Sequence, residues 1–380
     1  MRVVILGGGR VGWAIARDLS PDFKVTVADV SDDALRRAKK LRVDAVRADL
    51  STPEGVAAVI RTEDLVVCAV PGAMGYATLR AIINAGKPAV DISFFPEDPF
   101  TLRDLAREKG VTAVVDCGVA PGLSNMTLGY WTGQLDRVFS YRCDVGGLPQ
   151  QPEPPWDYRA PFSPADVIEE YTREVRIRRD GQDLVLPALS ERELIEFRDV
   201  GLLESFNTDG LRTLLHTTAV PSLLERTLRY PGHVERITVL RDSGFFDTEP
   251  VRVGDRDVRP LDVTSALLFE QWAFRPGERD LTVMRIAIEG EYEKAPVQVT
   301  YDLLDRFDEE TGVPSMSRTT GYTCTGVVRL LAAGAIQQTG MVTPEEVGGD
   351  AAAFKRILQH LSERGVELKG ESSGRLPAAS

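Results

Sequence analysis

Short apolar runs alternate with helix-like segments along the first third of the chain. The runs are apolar at nearly every position, namely Val3–Leu6, Val25–Ala28, Ala45–Val46, Leu65–Val70, Ala89–Ile92 and Val111–Val115. Strands that are apolar on both faces are typical of a parallel sheet covered by helices on each side. Between the runs, Thr52-Pro53-Glu54 supplies an N-cap, a proline at the first helical position and an acid in the first turn. The pattern predicts an α/β domain built on a parallel sheet.

The pattern changes near Pro149. The segment Gln150–Pro155 holds too many prolines for a helix or a central strand. A helix is predicted from Ser163-Pro164-Ala165-Asp166, which has the spacing of a capping box, and strand-like runs follow at Thr282–Ile288 and Val297–Tyr301. We therefore expect a second, mainly antiparallel α+β domain.

The C-terminal part has helix signals of its own. The small-residue-rich run Tyr322–Ile336 predicts a helix, and Thr343-Pro344-Glu345-Glu346 predicts the start of another. We expect helices of about 315–368 to pack back on the first domain, residues 1–122, and residues 123–314 to form the second domain. Residues 370–380 are rich in Gly, Ser, Pro and Ala, and they are expected to be a flexible tail.

Composition narrows the class of protein. The chain has 380 residues, 43% of them hydrophobic, which is enough for two domains with separate cores. Its 45 Lys and Arg against 57 Asp and Glu give a formal charge of −12, which argues against nucleic-acid and membrane partners. No apolar run approaches the roughly 18–20 residues of a membrane span, and the start resembles no signal peptide, so we expect a cytoplasmic protein. The scattered cysteines predict neither disulfides nor a metal site: Cys68, Cys117, Cys143 and Cys324.

A glycine-rich turn follows the first predicted strand. Gly7-Gly8-Gly9-Arg10-Val11-Gly12 has the spacing G-x-G-x-x-G and opens the predicted helix Val11–Leu19. In a Rossmann domain these glycines make the tight turn, admit the pyrophosphate and let helix and strand pack closely. The motif alone would fit a plain glycine turn equally well, but its position between a strand and a helix favours dinucleotide binding.

Asp29 ends the second predicted strand, 17 residues after Gly12. A carboxylate here accepts hydrogen bonds from the adenosine ribose and repels a 2′-phosphate, which predicts NAD rather than NADP. The alternative is a surface Asp before the helix cap Ser31.

Other strand ends should line the same crevice, because ligands of such sheets bind beyond the carboxyl ends of the strands. The strand ends concerned are Asp49-Leu50, Ala69–Gly72 and Asp91–Ser93. The expected cofactor-binding residues are Gly7, Gly9, Arg10, Val11, Gly12, Asp29, Val30, Asp49, Leu50, Ala69, Val70, Pro71 and Ser93.

Further segments resemble a known family. They are Cys117–Asn125, Val145–Pro149, Phe162–Pro164, Asp209–Arg212, Thr227–His233 and Ser315–Arg318. With the glycine motif, they make the chain resemble the saccharopine dehydrogenase family from Gly7 to about Leu368, and within it the bacterial and archaeal lysine 6-dehydrogenases. Saccharopine reductases typically carry Asp before the Pro-Gly of the first segment, whereas this chain has Ala120.

The resemblance implies a Rossmann domain followed by an α+β domain, and commonly a homodimer. It also implies oxidative deamination of the ε-amino group of L-lysine, with NAD as the hydride acceptor. The 6-semialdehyde product would cyclise to piperideine-6-carboxylate, and ammonia would leave.

Candidate catalytic residues follow from this chemistry. Asp116 ends the sixth strand and is expected to bind the cationic amine or to organise the water, unless it caps the helix near Pro121. His233 titrates in the range suited to acid–base work, although a structural histidine in a turn is the alternative. Cys117 is expected to be structural.

The substrate's α-amino and α-carboxylate groups need anchors. Asp209 and Arg212 supply both charges, the alternative being that they cap and flank a helix over Gly210–Leu215. Arg318 and Arg229 are further candidates for the carboxylate.

Two other functions stay open from the sequence. One is saccharopine dehydrogenase or reductase activity on a secondary amine. The other is a catalytically silent NAD-binding sensor.

Overall fold

The structure is a computed structural model that describes residues 1–374. In the first part of the chain the elements are β1 (Arg2–Leu6), α1 (Arg10–Leu19), β2 (Lys24–Asp29), α2 (Asp32–Lys40), β3 (Asp44–Arg47), α3 (Pro53–Ile60), β4 (Leu65–Cys68), α4 (Gly72–Asn84), β5 (Ala89–Asp91), a 3-10 turn (Pro99–Leu102), α5 (Arg103–Glu108), β6 (Thr112–Val114) and α6 (Leu123–Gln134).

The later elements are β7 (Arg137–Pro149), α7 (Pro164–Thr172), β8 (Val175–Arg179), β9 (Gln182–Leu186), β10 (Glu193–Phe197), β11 (Gly201–Asn207), α8 (Leu214–Thr217), β12 (Ser222–Arg229), α9 (His233–Asp242), β13 (Val251–Val253), β14 (Arg256–Val258), α10 (Pro260–Trp272), β15 (Asp280–Tyr292), β16 (Ala295–Arg306), α11 (Ser315–Ala332), β17 (Gly340–Val342), α12 (Pro344–Gly349), α13 (Ala351–Ser362) and β18 (Leu368–Ser373).

The chain divides into two units. Unit 1 comprises Met1–Asp136 and Ser317–Glu367, and unit 2 comprises Arg137–Met316 and the described residues from Leu368 onward. Each unit is built around one large sheet.

Unit 1 contains a seven-stranded sheet in the order β17-β6-β5-β4-β1-β2-β3, and every neighbouring pair is parallel. The predicted parallel sheet is therefore confirmed. Val3–Leu6 in β1 are fully buried, as expected for a central strand with helices on both faces. The strand order reverses at β1, where β2 and β4 pair on opposite sides, and this is the switch point at which such sheets bind ligands.

Helix α6 lies in unit 1, so the first unit extends to Asp136 instead of ending at residue 122. The reason is its close packing on α12. A Cβ added at Gly129 of α6 would lie 2.0 Å from the Glu345 carbonyl oxygen, and one at Gly348 of α12 would lie 2.0 Å from that of Met126. Only glycine allows the two backbones to approach this closely.

Unit 2 contains a nine-stranded sheet whose main path is β10-β11-β12-β7-β15-β16-β18, and β8 and β9 join it at β12. The pair β12 and β7 is parallel, and the other pairs are antiparallel. The expected mainly antiparallel α+β architecture is confirmed. The long hairpin of β15 and β16 contains the predicted runs Thr282–Ile288 and Val297–Tyr301.

Two predicted elements differ from the structure. Helix α11 runs from Ser315 to Ala332 instead of from Tyr322 to Ile336. Its start is fixed by Asp280, whose carboxylate accepts the backbone N–H groups of Ser315 at 2.8 Å and Met316 at 3.0 Å. In addition, residues 370–373 of the expected flexible tail belong to β18, which pairs with β16. Residues 375–380 lie outside the described residues.

Candidate functional site

The glycine turn between β1 and α1 has little room for side chains. A Cβ at Gly7, whose φ is +101°, would lie 2.3 Å from the carbonyl oxygen of Ala69, and one at Gly12 would lie 2.0 Å from that of Gly7. Gly9 differs, because a Cβ there would meet nothing within 4 Å. Gly9 precedes α1 as its N-cap residue, so open space adjoins the N–H groups of the first helical turn. This arrangement fits a pyrophosphate at the helix N-terminus.

Asp29 lies at the carboxyl end of β2, beside this turn. Its Oδ2 accepts the backbone N–H of Gly8, and its Oδ1 accepts that of Ser31, each at 2.7 Å. Ser31 in turn caps α2 through its side chain. The carboxylate is therefore fixed by two backbone donors at the place where a dinucleotide's adenosine ribose binds in such domains.

The remaining predicted cofactor residues lie at the same edge of the sheet. Arg10 and Val11 begin α1, and Val30 directly follows β2 with 64% of its surface exposed. The others follow the ends of β3, β4 and β5 in the chain: Asp49, Leu50, Ala69, Val70, Pro71 and Ser93. Hydrogen bonds from the hydroxyl and the backbone N–H of Ser51 hold the pKa of Asp49 below its usual value. The structure thus brings the predicted cofactor residues to one end of the unit 1 sheet.

Asp91, the last residue of β5, belongs to a strand end that was expected to line the crevice, but it is not among the expected cofactor-binding or catalytic residues. Its side chain is fully buried, and its Oδ1 accepts a hydrogen bond from the Ser93 hydroxyl. Burial raises the pKa of Asp91 to about 7, against the lowering effect of the Ser93 hydrogen bond and the neighbouring Cys68 thiol. The sequence signal was an acid directly after two apolar strand residues, Ala89 and Val90.

Asp116 follows β6 and is 3% exposed. The neighbouring strand end carries Asp91, whose carbonyl oxygen accepts the backbone N–H of Cys117 at 2.9 Å. Asp116 has a φ of +53°, a left-handed conformation that Asp tolerates better than most residues. It does not serve as the N-cap of α6, because that residue is Gly122. The geometry therefore leaves the carboxylate of Asp116 as a candidate for chemistry in unit 1.

His233, in unit 2, is fully buried at the start of α9. Its Nε2 pairs with the Tyr171 hydroxyl at 3.0 Å, and its Nδ1 pairs with the Trp156 carbonyl oxygen at 2.8 Å. Burial and the charge of the nearby Arg229 together lower the pKa of His233 to about 3. A neutral, enclosed imidazole is unsuited to acid–base work near neutral pH, so the contacts favour the structural alternative.

Asp209 and Arg212 do not share a helical turn, which corrects the geometry expected for them. The next helix along the chain, α8, begins only at Leu214, and Arg212 has a φ of +49°. Asp209 is 7% exposed and receives two hydrogen bonds from the Arg176 guanidinium, at 3.1 and 2.8 Å. Its charge is therefore already balanced within unit 2, which weakens its claim to bind a substrate ammonium.

The remaining arginine candidates are buried within their own units. Arg318, in unit 1, is 6% exposed and donates to the Arg364 carbonyl oxygen at 2.7 Å. Arg229, in unit 2, donates to the Tyr171 hydroxyl and pairs with Glu170 at 3.1 Å. Both arginines thus have contacts that stabilise the fold.

Two absences hold for residues 1–374. The side chains in this range form no group of three or more His, Cys, Asp or Glu that could hold a metal ion. Within the same range, none of the helices has the length and apolar character needed to cross a membrane.

The fold and the glycine site together define a dinucleotide-binding α/β protein with a second, mixed-sheet unit. Comparison with known proteins gives the family. The family model described as the saccharopine dehydrogenase NADP binding domain matches residues 3–114, and the one described as the saccharopine dehydrogenase C-terminal domain matches residues 118–366. The chain belongs to the saccharopine dehydrogenase family, a family of oxidoreductases, and its resemblance to that family is confirmed. The likeness to lysine 6-dehydrogenases stays a prediction.

Individual relatives are distant in sequence. Saccharopine dehydrogenase [NADP(+), L-glutamate-forming] of Pyricularia oryzae is 20% identical and aligns over 97% of this chain and 98% of its own length. The alpha-aminoadipic semialdehyde synthase of Arabidopsis thaliana is 24% identical over 89% of this chain. The chain spans between 30% and 48% of the length of four such synthases, including that of Arabidopsis thaliana.

A solved structure supports the fold. The saccharopine dehydrogenase (L-Glu forming) of Saccharomyces cerevisiae superimposes with a TM-score of 0.80 over 98% of this chain and 100% of that chain, at 18% identity. The superposition supports a shared fold. Because the identity is low, the substrate has to be argued from this chain's own residues.

Proposed function

We propose that this protein is an NAD-dependent oxidoreductase that removes the ε-amino group of L-lysine as ammonia and leaves the 6-semialdehyde. The observation that carries the substrate assignment is Ala120, which precedes Pro121-Gly122 where saccharopine reductases typically have Asp. An apolar methyl group at this position argues against chemistry that depends on that carboxylate. It leaves Asp116, four residues earlier, as the nearby acid for a primary amine.

The choice of NAD rests on Asp29. Its two carboxylate oxygens are fixed by backbone N–H groups of Gly8 and Ser31. A 2′-phosphate at the adenosine ribose would meet this negative charge, whereas two free ribose hydroxyls would donate to it. Family relatives include an NADP(+)-linked enzyme, so this position is where we expect the present chain to differ in preference.

The chain's own residues have distinct roles in this proposal. The bound cofactor supplies the hydride acceptor. Asp116 receives the substrate ammonium, accepts its proton, and then orients the water that attacks the resulting imine carbon. A buried carboxylate suits these steps because low local polarity strengthens its interaction with a cation.

Arg212 is our proposed anchor for the substrate α-carboxylate. Its guanidinium offers a planar pair of N–H donors that matches a carboxylate. Arg212 lies outside the helices, in a buried loop. Asp209 is a weaker proposal for the α-ammonium because it is already paired with Arg176. Arg318 is the next candidate for the carboxylate, and His233 is the least favoured of the catalytic proposals.

The second candidate function is saccharopine dehydrogenase activity, which would act on a secondary amine. It is favoured by the alignment with the Pyricularia oryzae enzyme, which covers nearly the full length of both chains.

A substrate panel separates the two functions. Reduction of NAD and NADP would be followed with L-lysine, L-ornithine, saccharopine and 1-aminohexane, the last lacking the α-carboxylate. We expect the highest kcat/KM with L-lysine and NAD, and poor use of the simple amine.

Arg212→Ala should raise the KM for lysine by roughly 30-fold or more, as expected for loss of a charged partner worth about 2–5 kcal/mol. Arg252→Ala, which changes an exposed arginine of β13, serves as the matched arginine control. Preferred turnover of saccharopine would favour the second candidate.

We also propose a homodimer formed through unit 2. Val263 and Leu267 lie one turn apart on α10 and are 48% and 60% exposed. An antiparallel pairing of two α10 helices about residue 265 would bring Val263 of one copy to Leu267 of the other. Light scattering of Leu267→Glu should show a monomer at concentrations where the wild type is dimeric.

The expected cytoplasmic location of the protein stays a prediction, which cell fractionation would test.

A further inference from the structure

Asp91 is a buried acid whose two carboxylate oxygens differ in their hydrogen bonding. The Ser93 hydroxyl donates to Oδ1 at 2.5 Å, whereas Oδ2 has no hydrogen-bond partner among residues 1–374. Helix α4 closes one side of this pair, since a Cβ at Gly75 would lie 2.4 Å from Ser93 Oγ. Leaving a carboxylate oxygen buried without a donor is unfavourable, so a half-satisfied carboxyl is a place where a proton or a cation is readily accommodated.

The groups around Asp91 are acids and thiols from several elements of unit 1. Cys68 ends β4, Asp116 and Cys117 follow β6, and Cys324 lies on α11. Burial raises the pKa of Asp91 to about 7 against the lowering effect of the Ser93 hydrogen bond and the Cys68 thiol, and the charge of Asp116 contributes to the rise. Burial also raises the pKa of each of the three thiols, so they stay neutral near pH 7.

The position of Asp91 in the sheet indicates which part of a dinucleotide it serves. In an open sheet of this order, the dinucleotide crosses the switch point, with one mononucleotide half on each side. Asp29 on β2 marks the adenosine side, and β5 lies on the other side of β1. The carboxyl ends of β4, β5 and β6 therefore face the nicotinamide half, whose oxidised ring carries a positive charge.

We propose that Asp91, positioned by Ser93, is a proton store linked to the charge of the cofactor: it releases its proton when the oxidised cofactor binds and holds it when the reduced cofactor is bound. This inference rests on the cofactor site of the proposed function. A nearby positive charge stabilises the carboxylate, and a neutral ring returns the carboxyl to its protonated form. Asp91 would thus be ionised before hydride transfer and ready to accept, through Asp116, the proton that leaves the substrate amine.

Proton release on binding tests this proposal without turnover. Calorimetric titration of the full-length protein with NAD⁺ and with NADH, in buffers of different ionisation enthalpy, counts the protons released in each case. From a pKa of about 7, NAD⁺ should release about half a proton per site at pH 7, nearly one at pH 6 and about a tenth at pH 8. NADH should release none.

Variants assign the proton to its residue. Asp91→Asn should bind NAD⁺ without the release, while Asp104→Asn, which removes an acid that is 98% exposed on α5, should behave as the wild type. Ser93→Ala should move the release to higher pH, because it removes a hydrogen bond that stabilises the carboxylate, and this test stands even if Asp91→Asn does not fold.

Two results would overturn the proposal. One is equal proton release for NAD⁺ and NADH by the wild type between pH 6 and 7. The other is unchanged release in Asp91→Asn together with an unshifted profile in Ser93→Ala. Failure of the wild type to bind either form of NAD would instead overturn the cofactor assignment, and this proposal with it.

Discussion

The backbone N–H of Gly8 donates a hydrogen bond to Asp29 Oδ2 at 2.7 Å, which ties the glycine turn to the end of the second strand. The residue that is expected to select the cofactor therefore also fixes the loop that is expected to hold its phosphates. Cofactor preference and loop geometry should respond together when Asp29 is changed.

Asp29→Ser should erode the preference for NAD over NADP. The variant removes the negative charge that opposes a 2′-phosphate and leaves a hydroxyl that can still accept from one backbone donor. We expect the ratio of the NADP and NAD dissociation constants to fall at least about tenfold, or about 1.4 kcal/mol. Asp104→Ser, which changes an exposed acid on α5, is the control and should leave the ratio unaltered. Equally tight binding of NAD and NADP by the wild type would contradict the role given to Asp29.

Alanine substitutions in the glycine turn should separate folding from binding. Gly12→Ala should destabilise the protein by roughly 1–3 kcal/mol, because its Cβ would collide with the Gly7 carbonyl oxygen. Gly9→Ala should cost less than about 1 kcal/mol, since its Cβ meets open space, yet weaken NAD binding about tenfold or more. Thermal unfolding and NAD titration of both variants check this. Normal NAD affinity in Gly9→Ala would show that no phosphate approaches there.

Because His233 is buried in its neutral form, it should make the folded protein less stable in acid. It should have no effect on the pH dependence of turnover. Its folded pKa is about 3, against about 6.5 when unfolded, so the unfolded state takes up a proton first as the pH falls. Stability should therefore drop between pH 6.5 and 3, by up to about 1.4 kcal/mol per pH unit.

His233→Gln should remove that slope, as measured by urea unfolding at several pH values. His216→Gln, at an exposed histidine of α8, should keep it. A lost limb in the pH–rate profile of His233→Gln, with unfolding unchanged, would restore His233 as a catalytic candidate.

The effect of Asp91 on stability should be opposite to that of His233, because the contribution of Asp91 is lost as the pH rises. Its folded pKa of about 7 lies above the ordinary carboxyl value of 3.8, so ionisation is disfavoured in the folded state. The contribution of Asp91 to stability is greatest below about pH 4 and is lost as the pH rises to 7. Relative to wild type, Asp91→Asn should gain roughly 4 kcal/mol between pH 4 and pH 8. A constant difference between the two proteins across this range would show that Asp91 titrates normally.

The parallel sheet could be predicted because its information is local. Val3–Leu6 and the other runs are apolar on both faces, and the structure buries them in parallel strands. The strand β17 escaped notice, since it has three residues and is defined by pairing with β6, more than 220 residues earlier.

The details of the candidate site depend on contacts between distant residues. The start of α11 is fixed by Asp280, and the charge of Asp209 is balanced by Arg176, 33 residues away. Neither partner can be identified from spacing along the chain. The raised pKa of Asp91 likewise arises from burial of its side chain. The short apolar run before it indicated only that an acid stands at a strand end.

The central claim is that the chain oxidises the ε-carbon of free L-lysine with NAD. The most direct measurement uses L-lysine deuterated at Cε and labelled with ¹⁵N at the ε-amino group. We predict one deuterium transferred to each reduced nicotinamide, and one equivalent of ¹⁵N-ammonia for each NADH formed. Absence of NADH formation with lysine, together with cofactor reduction by saccharopine, would contradict the claim.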